Sequence, residues 1–190
     1  MIGSIVAVCT SVLGGIPKYP QPFVTIGKWG LEKDYHNREM RKSFSKPGTT
    51  KPNIDRHVLL VAAEVEEQLG REFFRKPLEP GKLSENITTR GFGDLSWVKP
   101  NLLVAIDGGR IMLRTGGQEI PCKHVTNVYG IKFAKAIRGR RGVICIIEKG
   151  FGEKIFPEQQ IEIVGGGEAV AGAPSPQDPA LCATAEFETA

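Results

Sequence analysis

Short apolar runs of strand character recur along the chain: SIVAVC (4–9), FVTIG (23–27), HVLLVA (57–62), NLLVAI (101–106), RIMLRT (110–115), GVICII (142–147) and QIEIV (160–164). Each is rich in Val, Ile and Leu, which pack well on a pleated surface, and each is bounded by Gly, Pro, Asp or Asn. So many short strands predict a mainly β domain, a closed or partly open barrel or a sandwich. NLLVAIDGGRIMLRT reads as a hairpin, because Asp107, Gly108 and Gly109 tolerate positive φ between two alternating arms. Helical signal is confined to AAEVEEQLGREF, where Val61, Val65 and Leu69 recur every fourth residue and Gly70 ends the first part, and to a short IKFAKAI. Two long stretches, 34–57 and 76–100, fit neither pattern. The first is rich in Lys and Arg, the second in turn residues; loops of this length are binding loops, mobile segments or plain solvated surface.

With 190 residues, 41% hydrophobic and 24% charged, the chain suffices for one core. The opening MIGSIVAVCTSVLGG has no basic n-region and its apolar stretch is broken by Ser and Thr, so it reads as a first strand rather than a signal peptide. No run approaches the roughly 18 apolar residues of a membrane span, and the expectation is a soluble, cytoplasmic protein with no membrane partner. Residues 165–190 are rich in Gly, Ala and Pro with isolated bulky residues, a composition that predicts a disordered tail after a domain at 1–164. That tail holds four carboxylates and no basic residue, so the formal net charge of +4 for the whole chain becomes about +8 for the rest. Such a domain attracts phosphorylated small molecules, nucleic acid or anionic membrane surfaces.

The four cysteines, Cys9, Cys122, Cys145 and Cys182, form no CxxC pair and no zinc-like spacing, which points to free thiols in a reducing compartment and to no structural metal site. Cys9 and Cys145 lie within apolar β-branched runs and read as small buried hydrophobes; Cys182 falls in the tail. Cys122 differs. It follows Pro121 and precedes Lys123 and His124, with Arg114 on the preceding strand. Positive neighbours favour a thiolate, the form that attacks, binds metal or accepts sulfur, but adjacent residues on an extended chain face opposite sides. A working thiol and a cysteine at a strand end therefore both stand. The segment GLEKDYH places Asp34 and His36 at i and i+2, on one face if extended; the pair is an oriented acid–base group or a loop-stabilising hydrogen bond. The glycines and arginines of RTGGQ (114–118) and RGRRG (138–142) follow neither the P-loop nor the dinucleotide fingerprint, yet can present guanidinium forks to a phosphate. Aromatic residues for stacking bases are scarce beside them, which counts against nucleic acid.

Taken in order, GGIPK (14–18), GLEKDYH (30–36), DRHVLLVAAE (55–64), GKLSENITTRG (81–91), PC (121–122) and GRRGVICIIEKG (139–150) resemble the MOSC family, named for the C-terminal domain of molybdenum-cofactor sulfurases. The resemblance covers nearly all of residues 1–164. It implies a barrel of the pyruvate-kinase type with a few short helices and a basic pocket for a phosphorylated pterin, the molybdenum cofactor. Cys122 is by this likeness the sulfur-carrying cysteine, served by Asp34 and His36, and Lys18, Arg56, Glu85, Asn86, Thr88, Arg114 and Arg141 hold the cofactor. It brings with it molybdenum-ion and pyridoxal-phosphate binding, a bacterial origin, and a sulfur donor or molybdoenzyme as partner. Sulfurtransferase or cofactor-dependent activity, a non-catalytic carrier that delivers the cofactor, and a basic nucleic-acid-binding β-domain are the readings it leaves. Lys33 and Ser84 stand where the family pattern has glycine. Each takes positive φ reluctantly, which predicts an altered loop path.

Overall fold

Each of the seven apolar runs contains a strand in the computed structural model, which describes residues 1–42 and 48–165. In chain order the elements are β1 (Ile2–Thr10), β2 (Tyr19–Gln21), β3 (Val24–Gly27), β4 (Gly30–Leu31), β5 (Met40–Lys42), β6 (Thr50–Pro52), β7 (Val58–Ala62), α1 (Ala63–Phe74), β8 (Ile87–Arg90), β9 (Leu103–Ile106), β10 (Ile111–Gln118), α2 (Lys123–Ala136), β11 (Val143–Lys149), β12 (Lys154–Ile155) and β13 (Gln160–Val164). The segment expected to be a disordered tail, with Cys182, lies outside the described residues apart from Gly165.

Strands β13, β9, β10, β11, β7, β8 and β1 pair side by side, and β13 pairs again with β1, so seven strands form a closed barrel. Closure leaves no free edge in the ring. It also demands curvature, supplied where the register shifts between Ile5 and Ala7 of β1 and twice within β10. The alternation of β11 and β13 buries Val143, Cys145, Ile147, Ile161 and Ile163, which join Val8, Leu60, Ile87, Val104 and Leu113 in one core. Cys9 and Cys145 are fully buried, and burial pushes both thiols up. The hairpin β9–β10 turns at Asp107, Gly108 and Gly109, all at positive φ, as their residue types require.

Apart from the short strands β2, β4, β5, β6 and β12 outside the barrel, the strand that periodicity does not reveal is β8. Its sequence is ITTR, and Thr88 and Thr89 are both fully buried; a polar pair at the core masks the apolar signature. It is also the partner in the barrel's parallel pair, with β7. Parallel neighbours need a long crossover, and α1 with the loop to residue 86 provides it. Gly70 does not end α1. A Cβ there would lie 2.2 Å from Leu78 N and 2.4 Å from Lys76 O, so glycine lets the returning chain press against the helix. The helix runs on to Phe74 and stops at Arg75, φ 61. Helix α2 breaks at Gly130, φ 84 and ψ 165, and only its second half was legible as IKFAKAI. Phe133 ties the two helices together, 5.3 Å from Phe73 and 5.7 Å from Phe74 between ring centres.

Candidate functional site

A cavity of about 440 Å³ is lined by the loop after β1 (Gly14 to Lys18), the turn after β4 (Tyr35, His36, Arg38), the β5–β6 arm, the start of β7, the loop before β8 and the chain entering α2. Six residues singled out from the sequence line it: Lys18, His36, Arg56, Asn86, Cys122 and Arg141. Ile16, Leu59 and Ile144 add an apolar wall.

Asp34 lies behind this surface and joins two of its members. Its Oδ2 is 2.9 Å from Lys18 Nζ and its Oδ1 is 3.2 Å from His36 Nδ1, while Oδ2 accepts from Ser11 N and Oδ1 from His36 N. Burial would raise the Asp34 carboxyl, but the bonds from His36 and the Lys18 ammonium outweigh it and hold the group well below the usual carboxylate range. Burial in turn draws the Lys18 ammonium below its ordinary value, against the pull of Asp34. With an ionised Asp34 at Nδ1, that nitrogen carries the histidine's proton and Nε2 is left for the cavity. The pair sits in a turn rather than an extended strand, so i and i+2 meet by curvature. Lys33 and Ser84 both occupy the left-handed region, φ 61 and φ 69. The loop path available to glycine is thus kept here by residues that strain to follow it. Ser84 Oγ also donates to Gly15 O at 2.9 Å, linking two walls.

On the opposite side Glu119, 4% exposed, holds two arginines. Its Oε1 accepts from Arg56 Nη1 and Arg141 Nη1, each at 2.9 Å, and its Oε2 lies 2.7 Å from Arg56 Nη2. Arg141 further donates to Ile120 O (2.8 Å) and Leu83 O (3.2 Å). It therefore fastens the approach to Cys122 onto the loop before β8. Cys122 is half-buried at the N-cap of α2, its carbonyl accepting from Val125 N and Thr126 N and its side chain packing against the core.

Asn53, His57 and Arg41 also face the cavity, and sequence reasoning did not select them. Arg41 makes a two-pronged contact with Asp55, 2.6 and 2.8 Å, that anchors the β5–β6 arm. His57 Nε2 donates to Asn53 O at 2.8 Å and Nδ1 accepts from Ile147 N at 3.1 Å. Burial lowers its pKa, in keeping with a neutral ring so bonded. The signals were the unassigned basic stretch for Arg41 and the quoted DRHVLLVAAE for His57, whose charges alone gave no geometry; Asn53 had none.

Other residues named from the sequence stand elsewhere. Glu85 is fully buried beneath the loop before β8, accepting from Gly81 N, from Leu83 N at 3.0 Å and from Thr88 Oγ1 at 3.1 Å. Glu85 and Thr88 therefore shape that loop from below and do not line the cavity. Asn86 reaches it, but its amide is engaged with Cys9 O (3.4 Å) and Leu59 N (3.2 Å). Arg114 is away from the cavity, clamped to Glu148 across β10 and β11 at 2.7 and 3.0 Å. Among the described residues no three His, Cys, Asp or Glu side chains gather as metal ligands would, and no helix is long and apolar enough to cross a membrane.

The barrel is shared with solved structures. The YuaD protein of Bacillus subtilis superposes with a TM-score of 0.77 at 18% identity, covering 88% of this chain and 98% of its own. YiiM of Escherichia coli gives 0.59 at 19% identity over 95% of this chain and 77% of its own. YiiM of Geobacillus stearothermophilus gives 0.58 at 18% over 93% and 80%. These likenesses, all below 20% identity, show the fold. No family model matches the chain, and no curated protein does.

Proposed function

We propose that the cavity binds a phosphorylated pterin of the molybdenum-cofactor type and that Cys122 is a sulfur-bearing thiol beside it. The observation that carries this reading is the convergence on one cavity of Cys122, His36 and a surplus of cations. Lys18, Arg41, Arg56 and Arg141 line it and meet three carboxylates: Asp34 at Lys18, Asp55 at Arg41 and also at Lys51, and Glu119 at both Arg56 and Arg141. Arg38 and Lys42 add further positive charge at the same cavity. A phosphate is the natural guest for such a site, and the apolar wall of Ile16, Leu59 and Ile144 suits a flat ring. The donor set therefore fits the cofactor, which when bound supplies a metal centre able to accept sulfur.

In this scheme Arg56 holds the phosphate, and Arg141 and Glu119 fix the chain that carries Cys122. His36, held by Asp34, presents Nε2 to the cavity to accept or return a proton. Sulfur reaches Cys122 from a persulfide on a donor protein: the Cys122 sulfur attacks the outer sulfur, the donor S–S bond breaks as the new one forms, and the donor cysteine leaves as thiolate. The test is mass spectrometry on protein purified anaerobically without reductant, native for bound pterin and with peptide mapping for sulfur at Cys122. One added sulfur on Cys122 that Cys122→Ser abolishes, together with a co-purified pterin, supports the reading. An empty protein with an unmodified Cys122 after incubation with a persulfide donor and the cofactor refutes it.

A further inference from the structure

We infer that Asn53 selects the ligand, its Oδ1 being an acceptor reserved for an amino group. The inference rests on the reading of the cavity as a pterin site and deepens it. Asn53 lines the cavity and is 1% exposed. Its Nδ2 donates to Trp29 O and to His36 O, each at 3.1 Å, which uses both amide protons and fixes which branch is the oxygen. The backbone is committed as well: Asn53 N donates to Glu39 O at 2.7 Å, and Asn53 O accepts from His57 Nε2. Only Oδ1 remains, buried and without a partner. Buried polar atoms are nearly always paired, so an unpaired one on a residue that lines a cavity points to a place that a ligand group completes.

Arg141 supplies a complementary case. Its Nε is buried and unpartnered on a residue lining the same cavity, while its terminal nitrogens are held by Glu119, Ile120 and Leu83. One wall thus lacks a donor and another lacks an acceptor. An amino–oxo heterocycle offers both groups. A ring with oxygen in place of the amino group sets an acceptor against Oδ1. Because Nδ2 is held by both Trp29 O and His36 O, the Asn53 amide cannot turn to offer a donor instead, and a rigid site built for a hydrogen bond rejects the analogue lacking it.

Pterin-6-carboxylate and lumazine-6-carboxylate, which differ by amino against oxo at one ring position, provide the probes for equilibrium binding to the full chain. The wild type is expected to favour the pterin by at least tenfold. Asn53→Asp keeps an acceptor oxygen but sets its second oxygen against Trp29 O and His36 O, whereas Asn53→Leu has no polar atom; the folding loss of each is followed separately by thermal melting. The preference should survive in the aspartate variant and vanish in the leucine one. Equal binding of both probes by the wild type, or an unchanged preference in Asn53→Leu, overturns the inference while leaving the pterin reading intact. Binding of neither probe at millimolar concentration overturns both. The wild-type comparison decides the matter even if a variant fails to fold.

Discussion

Replacing Glu66 with glutamine should stabilise the protein, and by an amount that grows with pH. Glu66 sits on the inner face of α1 at 1% exposure, next to Glu85 and Thr88. Burial, together with the nearby Glu85 carboxylate, pushes its pKa from 4.5 up to about 11. At neutral pH the folded protein therefore keeps Glu66 protonated while the unfolded chain ionises it. Because the folded pKa is raised, the group favours the fold fully only below its unfolded value, and that contribution is lost as pH climbs toward the folded value. One pH unit corresponds to about 1.4 kcal/mol. From 4.5 to 7 the penalty thus reaches roughly 3 kcal/mol, an upper limit because neighbouring groups relax. Glutamine keeps the shape, carries no proton to lose, and donates to Glu85 as the protonated acid does. Urea unfolding of both proteins at pH 5, 6, 7 and 8 reads the difference directly. The expected gap is less than about 1 kcal/mol at pH 5 and widens by about 1.4 kcal/mol per unit. A gap that stays constant across this range would show that Glu66 is charged in the fold, and the reasoning would fail.

Two further variants probe the loops around the cavity. Lys33→Gly should raise stability by about 0.5–1 kcal/mol in thermal unfolding, since an exposed lysine at φ 61 then gives way to the residue that adopts this region without strain; a loss of stability would show that the lysine side chain contributes to the fold. Asp34→Asn leaves Lys18 buried without its counter-charge and should cost about 3–5 kcal/mol. The double change with Lys18→Met should recover most of this, and because the Asp34 pKa is depressed, the wild-type contribution should persist at neutral pH and fade only as acid carries the group below its unfolded value near 4.

The strands were legible because seven runs of branched apolar residues write their own period. The exception, β8, shows the limit: Thr88 and Thr89 are inside the fold yet polar, and only their contacts with Glu85 and Val61 O reveal why the core tolerates them. Gly70 was misread as a helix stop because sequence records that a side chain is missing and not what fills its space. At the site, the quoted motifs led to Lys18, Asp34, His36 and Cys122, which are distant in sequence but gathered around one cavity. Arg114 has the same chemistry as Arg56 and Arg141, and no local pattern separates a guanidinium at the cavity from one clamped to Glu148. Asn53 carries no sequence signal at all. Its significance comes from four bonds that leave one oxygen over.

The distribution of charge around the cavity decides where an anion settles. Lys18 has Asp34 beside it, and Arg41 and Lys51 both meet Asp55, so their fields are partly cancelled at short range. Glu119 in turn is shared by Arg56 and Arg141. Arg56 is the more exposed of that pair, 34% against 3% for its side chain, and can turn toward a guest without uncovering a buried group. Arg141 cannot, because the same guanidinium holds Leu83 O and Ile120 O. On the proposed reading Arg56 grips the guest while Arg141 keeps the frame, which reaches Ile120, two residues before Cys122. A phosphate held by Arg56 would then share the cavity with the only half-buried thiol among the described residues, Cys122. The same argument explains why Glu119, an acidic residue in a basic cavity, strengthens the site: without it two guanidinium groups would repel, and the chain carrying Cys122 would lose its anchor.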